Sequence, residues 1–176
     1  MRKLSLFLSL FLFSVSVSVS LYGQDPEQQL KQLNITLPPA TNPAFNYVKF
    51  VRTGNLLFLA GHGPRNEKGE NITGKLGDNL TTEQGYAAAN ACTIDLIATL
   101  KSAVGGDLKK VKRIVKVFGL VNCTANYYDQ PKVMNGCSDL LVAVFGEKGK
   151  HARTSVGANA LPNNIAVEIE LVAEVE

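Results

Sequence analysis

An α+β fold of two layers, one mostly antiparallel sheet with two helices on one face, is predicted by three features of the sequence. Two segments show helical spacing between recognisable start and stop signals. The C-terminal segment alternates with a period of two. The elements follow one another in the order β-β-α-β-α-β-β.

Each element has its own warrant. Tyr47–Val51 is strand-like, Thr53-Gly54-Asn55 is a turn signal, and Leu56 to Ala60 is a short apolar run. Together they predict a hairpin whose second strand is buried on both faces. Gly63 to Asn79 is glycine-rich and polar, a long loop of the kind that often carries function. Thr81-Thr82-Glu83-Gln84 fits a capping box, and Tyr86, Ala89, Thr93, Leu96, Ile97 and Leu100 then recur at helical spacing. Gly105-Gly106 stops that helix. A strand is predicted over Val111–Leu120. Asp129 is placed to cap a second helix with Pro131 in its first turn. Its apolar stripe is Val133, Cys137, Leu140, Leu141 and Val144, and Gly146 ends it. Thr154–Ala160 is a strand candidate, and Leu161-Pro162-Asn163-Asn164 a turn. Ile165, Val167, Ile169 and Leu171 then alternate with Ala166, Glu168, Glu170 and Val172.

The chain has 176 residues, enough for one domain with a real core. Its ends differ in kind from its middle. Arg2 and Lys3 precede an uncharged run from Leu4 to Leu21, with small residues at Ser18-Val19-Ser20. A basic start, an apolar middle and small residues near the end describe a secretory signal peptide over residues 1–23. An uncleaved anchor is the rival, but six serines make the run a poor span. The expected protein is therefore exported, periplasmic or secreted, with no stable membrane span after cleavage. Residues 24–42 read as a polar leader that frays, with a short helix over Glu27–Leu33, and residues 43–176 as the domain.

The formal charge of +3 shrinks with that reading. Without Arg2 and Lys3 the 18 basic side chains fall to 16, against 15 acidic, which leaves +1. No basic block remains, so the footprint of a nucleic-acid binder is weak. Cys92, Cys123 and Cys137 are odd in number and read as small buried apolar residues. With only His62 and His151, and no ligand spacing, no metal site or other cofactor is expected. Four glycosylation sequons, at Asn34, Asn71, Asn79 and Asn122, read as chance occurrences.

The chemistry concentrates in the last quarter. Arg153 stands at a loop-to-strand junction beside small residues, where a guanidinium can grip a carboxylate with two parallel hydrogen bonds. An ordinary surface salt bridge is the plainer account. Glu168 and Glu170 share a strand face. If that face is covered by another subunit, a partly desolvated glutamate becomes a general acid/base. His62, after the buried strand, is a base, a ligand contact or a structural hydrogen-bonding residue.

These residues resemble the RidA (reactive intermediate deaminase) family, also called YjgF or L-PSP. The resemblance runs from about Asn46 to the C-terminus. It is carried by Tyr47, Gly54-Asn55, Gly61-x-x-Pro64, Asn135, Ala152-Arg153-x-Ser155-Val156, Leu161-Pro162 and Val167-Glu168-Ile169-Glu170. The Gly-His-x-Pro strand end, the Gly74–Gly77 loop and His151-Ala152-Arg153 look closer to a less characterised branch. The resemblance implies a chorismate-mutase-like fold and a homotrimer with ligand sites between subunits. It implies that Arg153 binds a substrate carboxylate and that Glu168 positions or activates a water. Tyr47, Gly61 and Asn135 would line the pocket, with Ser155 at a further contact position and His62 as an added titratable group not usual in the best-known branch. Ala60 stands where many members have Ser, and Ser155 where many have Cys. The implied reaction is hydrolysis of a reactive enamine or imine to a 2-keto acid and ammonia. The alternatives are a non-catalytic trimeric binding protein for a small carboxylate or a partner, and, behind it, an endoribonuclease.

Overall fold

The computed structural model describes residues 24–40 and 46–176. The export segment read at 1–23 and the boundary between leader and domain at 42–43 lie outside them. Among the described residues no helix is long and apolar enough to cross a membrane.

The hairpin forms from β1 (Phe50–Thr53) and β2 (Leu56–His62), with Gly54 supplying the positive φ of the turn. Two helices follow the sequence signals closely. In α2 (Thr82–Ala103) both halves of the Thr81/Gln84 capping box are made. In α3 (Gln130–Phe145) Pro131 lies in the first turn, as its fixed φ favours. Asp129 sits at the N-cap but makes no capping bond; its carboxylate pairs with Lys132 instead. Between the helices runs β3 (Val111–Asn122), and after them β4 (Ala152–Ala158) and β5 (Val167–Val175).

The sheet order is β1-β2-β5-β3-β4. All neighbours are antiparallel except β3 and β4, which α3 connects as parallel strands. Val167, Ile169, Leu171, Ala173 and Val175 of β5 are buried toward the helices, and Glu168, Glu170 and Glu174 point the other way. The same division holds on β3, where Val117 and Val121 face inward and Lys116 and Phe118 outward. The helix layer is packed close. A Cβ on Gly136 of α3 would stand 2.1 Å from the carbonyl oxygen of Tyr86 on α2, so a glycine is required at this crossing. Cys92, Cys123 and Cys137 are buried free thiols.

Two expectations are corrected. First, residues 26–32 form a docked helix, α1, rather than a fraying leader. Asp25 caps it, Leu30 is buried in the core, and Glu27 and Asp25 pair with Lys101 and Lys109. Burying Leu30 stabilises by about 2 kcal/mol, more than exposed ion pairs supply. Second, β2 is buried on one face only. Leu57 and Leu59 are inside, but Phe58 is 44% exposed, because among the described residues no second layer covers that side. The Gly63–Asn79 segment is the long loop expected, and it is pinned to the domain. Leu76 is fully buried within it, and the Asn122 amide donates to the carbonyl oxygen of Gly74. Asn122 is itself buried, which removes it as a glycan acceptor.

A bulge decides where the end of β2 points. Leu59 pairs with Leu171, but His62 pairs with Ile169, so three steps on β2 match two on β5. The extra residue turns His62 into the helix layer. There its Nδ1–H donates to the carbonyl oxygen of Ala60 at 2.7 Å, and Nε2 accepts from Thr99 Oγ1–H at 2.8 Å. His62 is thus a buried structural residue and not a pocket contact. Burial lowers its pKa from 6.5 to about 4. The unfolded chain binds the proton more tightly, so stability supplied by neutral His62 is full above 6.5 and lost as pH falls toward 4. The loss is roughly 3 kcal/mol. Urea unfolding at fixed protein concentration should show wild type and His62→Gln converging in stability between neutral pH and pH 4. Parallel pH profiles for the two would contradict this assignment.

Candidate active site

Two groups of polar side chains stand out, and they lie on opposite faces of the sheet. The first is built on β4 and the start of α3. β4 is the edge strand, and Arg153 pairs there with Val117, whose side chain faces the helices. Paired residues share a face, so Arg153 turns the same way. It meets the first turns of α3. Its Nη1 donates to Asn135 Oδ1 and to Ser138 Oγ, both at 3.0 Å, and Nη2 donates to the carbonyl oxygen of Pro131 at 3.3 Å. The partners neutralise no charge; they orient the plane. Nε–H and one Nη2–H have no partner among the described residues. Charged donors left unused in this way suit a carboxylate. Ser155, two residues on, shares this face beside Gly119.

The second group lies on the bare face. Glu168 pairs with Leu120 of β3, one register step outside the inward set. Its carboxylate occupies the space above Gly61 at the bulge, where a Cβ would come within 2.3 Å of Oε1. Gly61 therefore admits the carboxylate by lacking a side chain. Half-burial raises the pKa of Glu168, and the neighbouring Glu170 charge adds to the rise. A shallow groove of about 270 Å³ adjoins it, lined by Phe50, Phe58, Phe118, Val172, Lys116 and Glu170. Lys116 reaches across to β4 and donates to Thr154 Oγ1 at 2.7 Å. Tyr47, just before β1, is 52% exposed.

The structure thus brings Arg153, Asn135 and Ser155 together on the helix side, and Glu168 and Gly61 on the bare side. Within one chain the sheet separates the two groups. His62 belongs to neither. Sequence reasoning missed Ser138, which holds the guanidinium as Asn135 does. The i, i+3 spacing of Asn135 and Ser138 on α3 was its available signal. Among the described residues no group of three or more His, Cys, Asp or Glu side chains could hold a metal ion.

Comparison with known proteins places this geometry. The family model described as "YjgF/chorismate_mutase-like, putative endoribonuclease" matches residues 27–175, a span that includes α1. Protein TCP17 of Trypanosoma cruzi is 44% identical over 146 residues, covering 82% of this chain and 91% of that protein. A 2-iminobutanoate/2-iminopropanoate deaminase of Dermatophagoides farinae is 28% identical over 143 residues, covering 81% and 95%. A crystal structure of a "putative endoribonuclease" from Shewanella oneidensis superimposes with a TM-score of 0.82 at 33% identity, covering 86% of this chain and 99% of that one.

The order of causes at Glu168, desolvation first and Glu170 second, can be checked. Glu170→Gln should lower the Glu168 pKa without returning it to the ordinary value, as read by carboxyl ¹³C NMR. An unchanged titration would show that the two carboxylates do not interact.

Proposed function

This chain belongs to the YjgF/chorismate-mutase-like (RidA) family, and from that premise we propose that it is a hydrolytic deaminase of small carboxylate-bearing imines and enamines, acting without a cofactor. The observation that carries the reading is the held guanidinium of Arg153, with two N–H donors left for a carboxylate. The similarity to a 2-iminobutanoate/2-iminopropanoate deaminase supports the same substrate class.

The second group completes the site in this reading. A second copy of the chain lies against the bare face and sets its Arg153 opposite Glu168, and a homotrimer closes three such sites. The substrate carboxylate docks on Arg153, which places the imine carbon beside the glutamate. Glu168 accepts a proton from water as the water oxygen bonds to that carbon. The same proton passes to the nitrogen of the tetrahedral adduct. Glu168 then takes the hydroxyl proton and passes it to the same nitrogen, so that the C–N bond breaks, ammonia leaves and the C–O bond becomes the carbonyl of the 2-keto acid. A carboxyl whose pKa is raised by partial burial suits both proton steps. Export through the segment at residues 1–23 is part of the same proposal.

The endoribonuclease reading has less support. Both histidines are committed within the fold, His62 to Ala60 and Thr99, His151 to Gly149 and Ser138. That leaves no free imidazole among the described residues for the acid/base work of RNA cleavage.

The test is keto-acid release from iminoacids generated in place. Arg153→Ala should lower kcat/KM by about a hundredfold, mostly through KM, since it removes binding common to substrate and transition state. Glu168→Gln should lower kcat by roughly 10²–10⁴. Wild-type protein that releases no keto acid above buffer, over a panel of iminoacids, would sink the proposal.

A further inference from the structure

Behind the Arg153 guanidinium a chain of hydrogen bonds continues through Ser138 to His151. Ser138 Oγ stands 3.0 Å from Arg153 Nη1 and 3.1 Å from Nε2 of His151. On its other side His151 presents Nδ1 to the carbonyl oxygen of Gly149 at 2.7 Å. The donors can be assigned by elimination. A guanidinium only donates and a carbonyl only accepts, so Ser138 accepts from Arg153 and His151 carries its proton on Nδ1. Neutral Nε2 is then an acceptor, and the hydroxyl proton of Ser138 points to it. The chain runs from Arg153 to Ser138 to His151 to the Gly149 backbone, which closes the short 3₁₀ turn after α3 (Gly146–Gly149). Every bond in it runs in one direction, which fixes the hydroxyl and aims its lone pair at the arginine.

We propose that His151 is a positioning residue for Arg153, acting through Ser138 to hold the guanidinium in the plane that receives the substrate carboxylate. The proposal rests on the assignment of Arg153 given above. A histidine suits the task because it is rigid and both its nitrogens are used. Burial, and behind it the charge of Arg153, keep its pKa below the ordinary value, which preserves the accepting form. A protonated ring would direct a second N–H at the Ser138 oxygen that already accepts from Arg153. The arrangement explains why a histidine stands two residues before the arginine, at the end of the turn that leads into β4.

Three variants separate the hydrogen-bonding role from simple packing. His151→Gln keeps an acceptor for Ser138 and a donor for Gly149. His151→Phe keeps the bulk and loses both. Ser138→Ala breaks the chain one link closer to Arg153. Affinity for pyruvate, the smallest 2-keto acid, is measured by calorimetry beside iminoacid turnover. His151→Phe and Ser138→Ala should weaken pyruvate binding and raise KM by about tenfold with a smaller change in kcat, and His151→Gln should stay within about twofold. Equal affinity for wild type and His151→Phe would overturn the proposal, as would a His151→Gln variant as weak as His151→Phe. If wild type binds pyruvate but turns over no iminoacid, and His151→Phe still loses the binding, the deaminase reading fails and the positioning role stands. A ligand-free readout decides independently. The Arg153 guanidinium N–H signals in ¹⁵N NMR should exchange slowly in wild type and His151→Gln and broaden in His151→Phe. Sharp signals in His151→Phe would contradict the proposal.

Discussion

Among the described residues the five-stranded sheet is covered by helices on one face only, and the placement of Arg153, Glu168 and His62 answers to that asymmetry. On the covered side β5 alternates strictly and β3 does so from Val117 to Val121, and Gly136 lets α3 cross α2 closely. On the bare side the same alternation lays out a surface that mixes Phe58, Phe118 and Val172 with Lys116, Glu168 and Glu170. An apolar surface of this kind with carboxylates set in it is suited to a partner. Arg153 escapes the covered side only because β4 is an edge strand, so its side chain emerges at the rim beside α3.

The bulge in β2 is the second constraint. One inserted residue reverses the facing of the strand end, turns His62 inward and leaves Gly61 as the gap that Glu168 fills. A single local irregularity therefore supplies a structural histidine to the core and a seat for the carboxylate that the proposed chemistry needs. It also explains why a histidine at the end of an apolar strand was misleading as a pocket residue.

Much of the fold was legible because its signals are local. The Thr81/Gln84 capping box, the Gly105-Gly106 stop and the period of two in β5 each depend on residues within a few positions of one another. The failures were non-local. The bulge depends on the register between β2 and β5. The docking of α1 depends on Leu30 finding the helix layer, which a polar segment does not advertise. The exposure of Phe58 depends on a missing second layer. The site divided in the same way. Arg153 and Glu168 were singled out by residue type and by resemblance, but their separation by the sheet follows from pairing alone. Ser138 went unseen because its i, i+3 spacing from Asn135 gains meaning only once Arg153 is known to reach that helix face.

The central claim is that a working site takes Arg153 from one chain and Glu168 from another. Mixing inactive variants tests it most directly. Arg153→Ala and Glu168→Gln proteins are unfolded together, refolded at equal concentration and assayed for keto-acid release. If the site is shared in a closed ring, random assembly restores roughly a quarter of the wild-type sites, each made from the intact half of two different chains. A mixture as inactive as its two components would contradict the account.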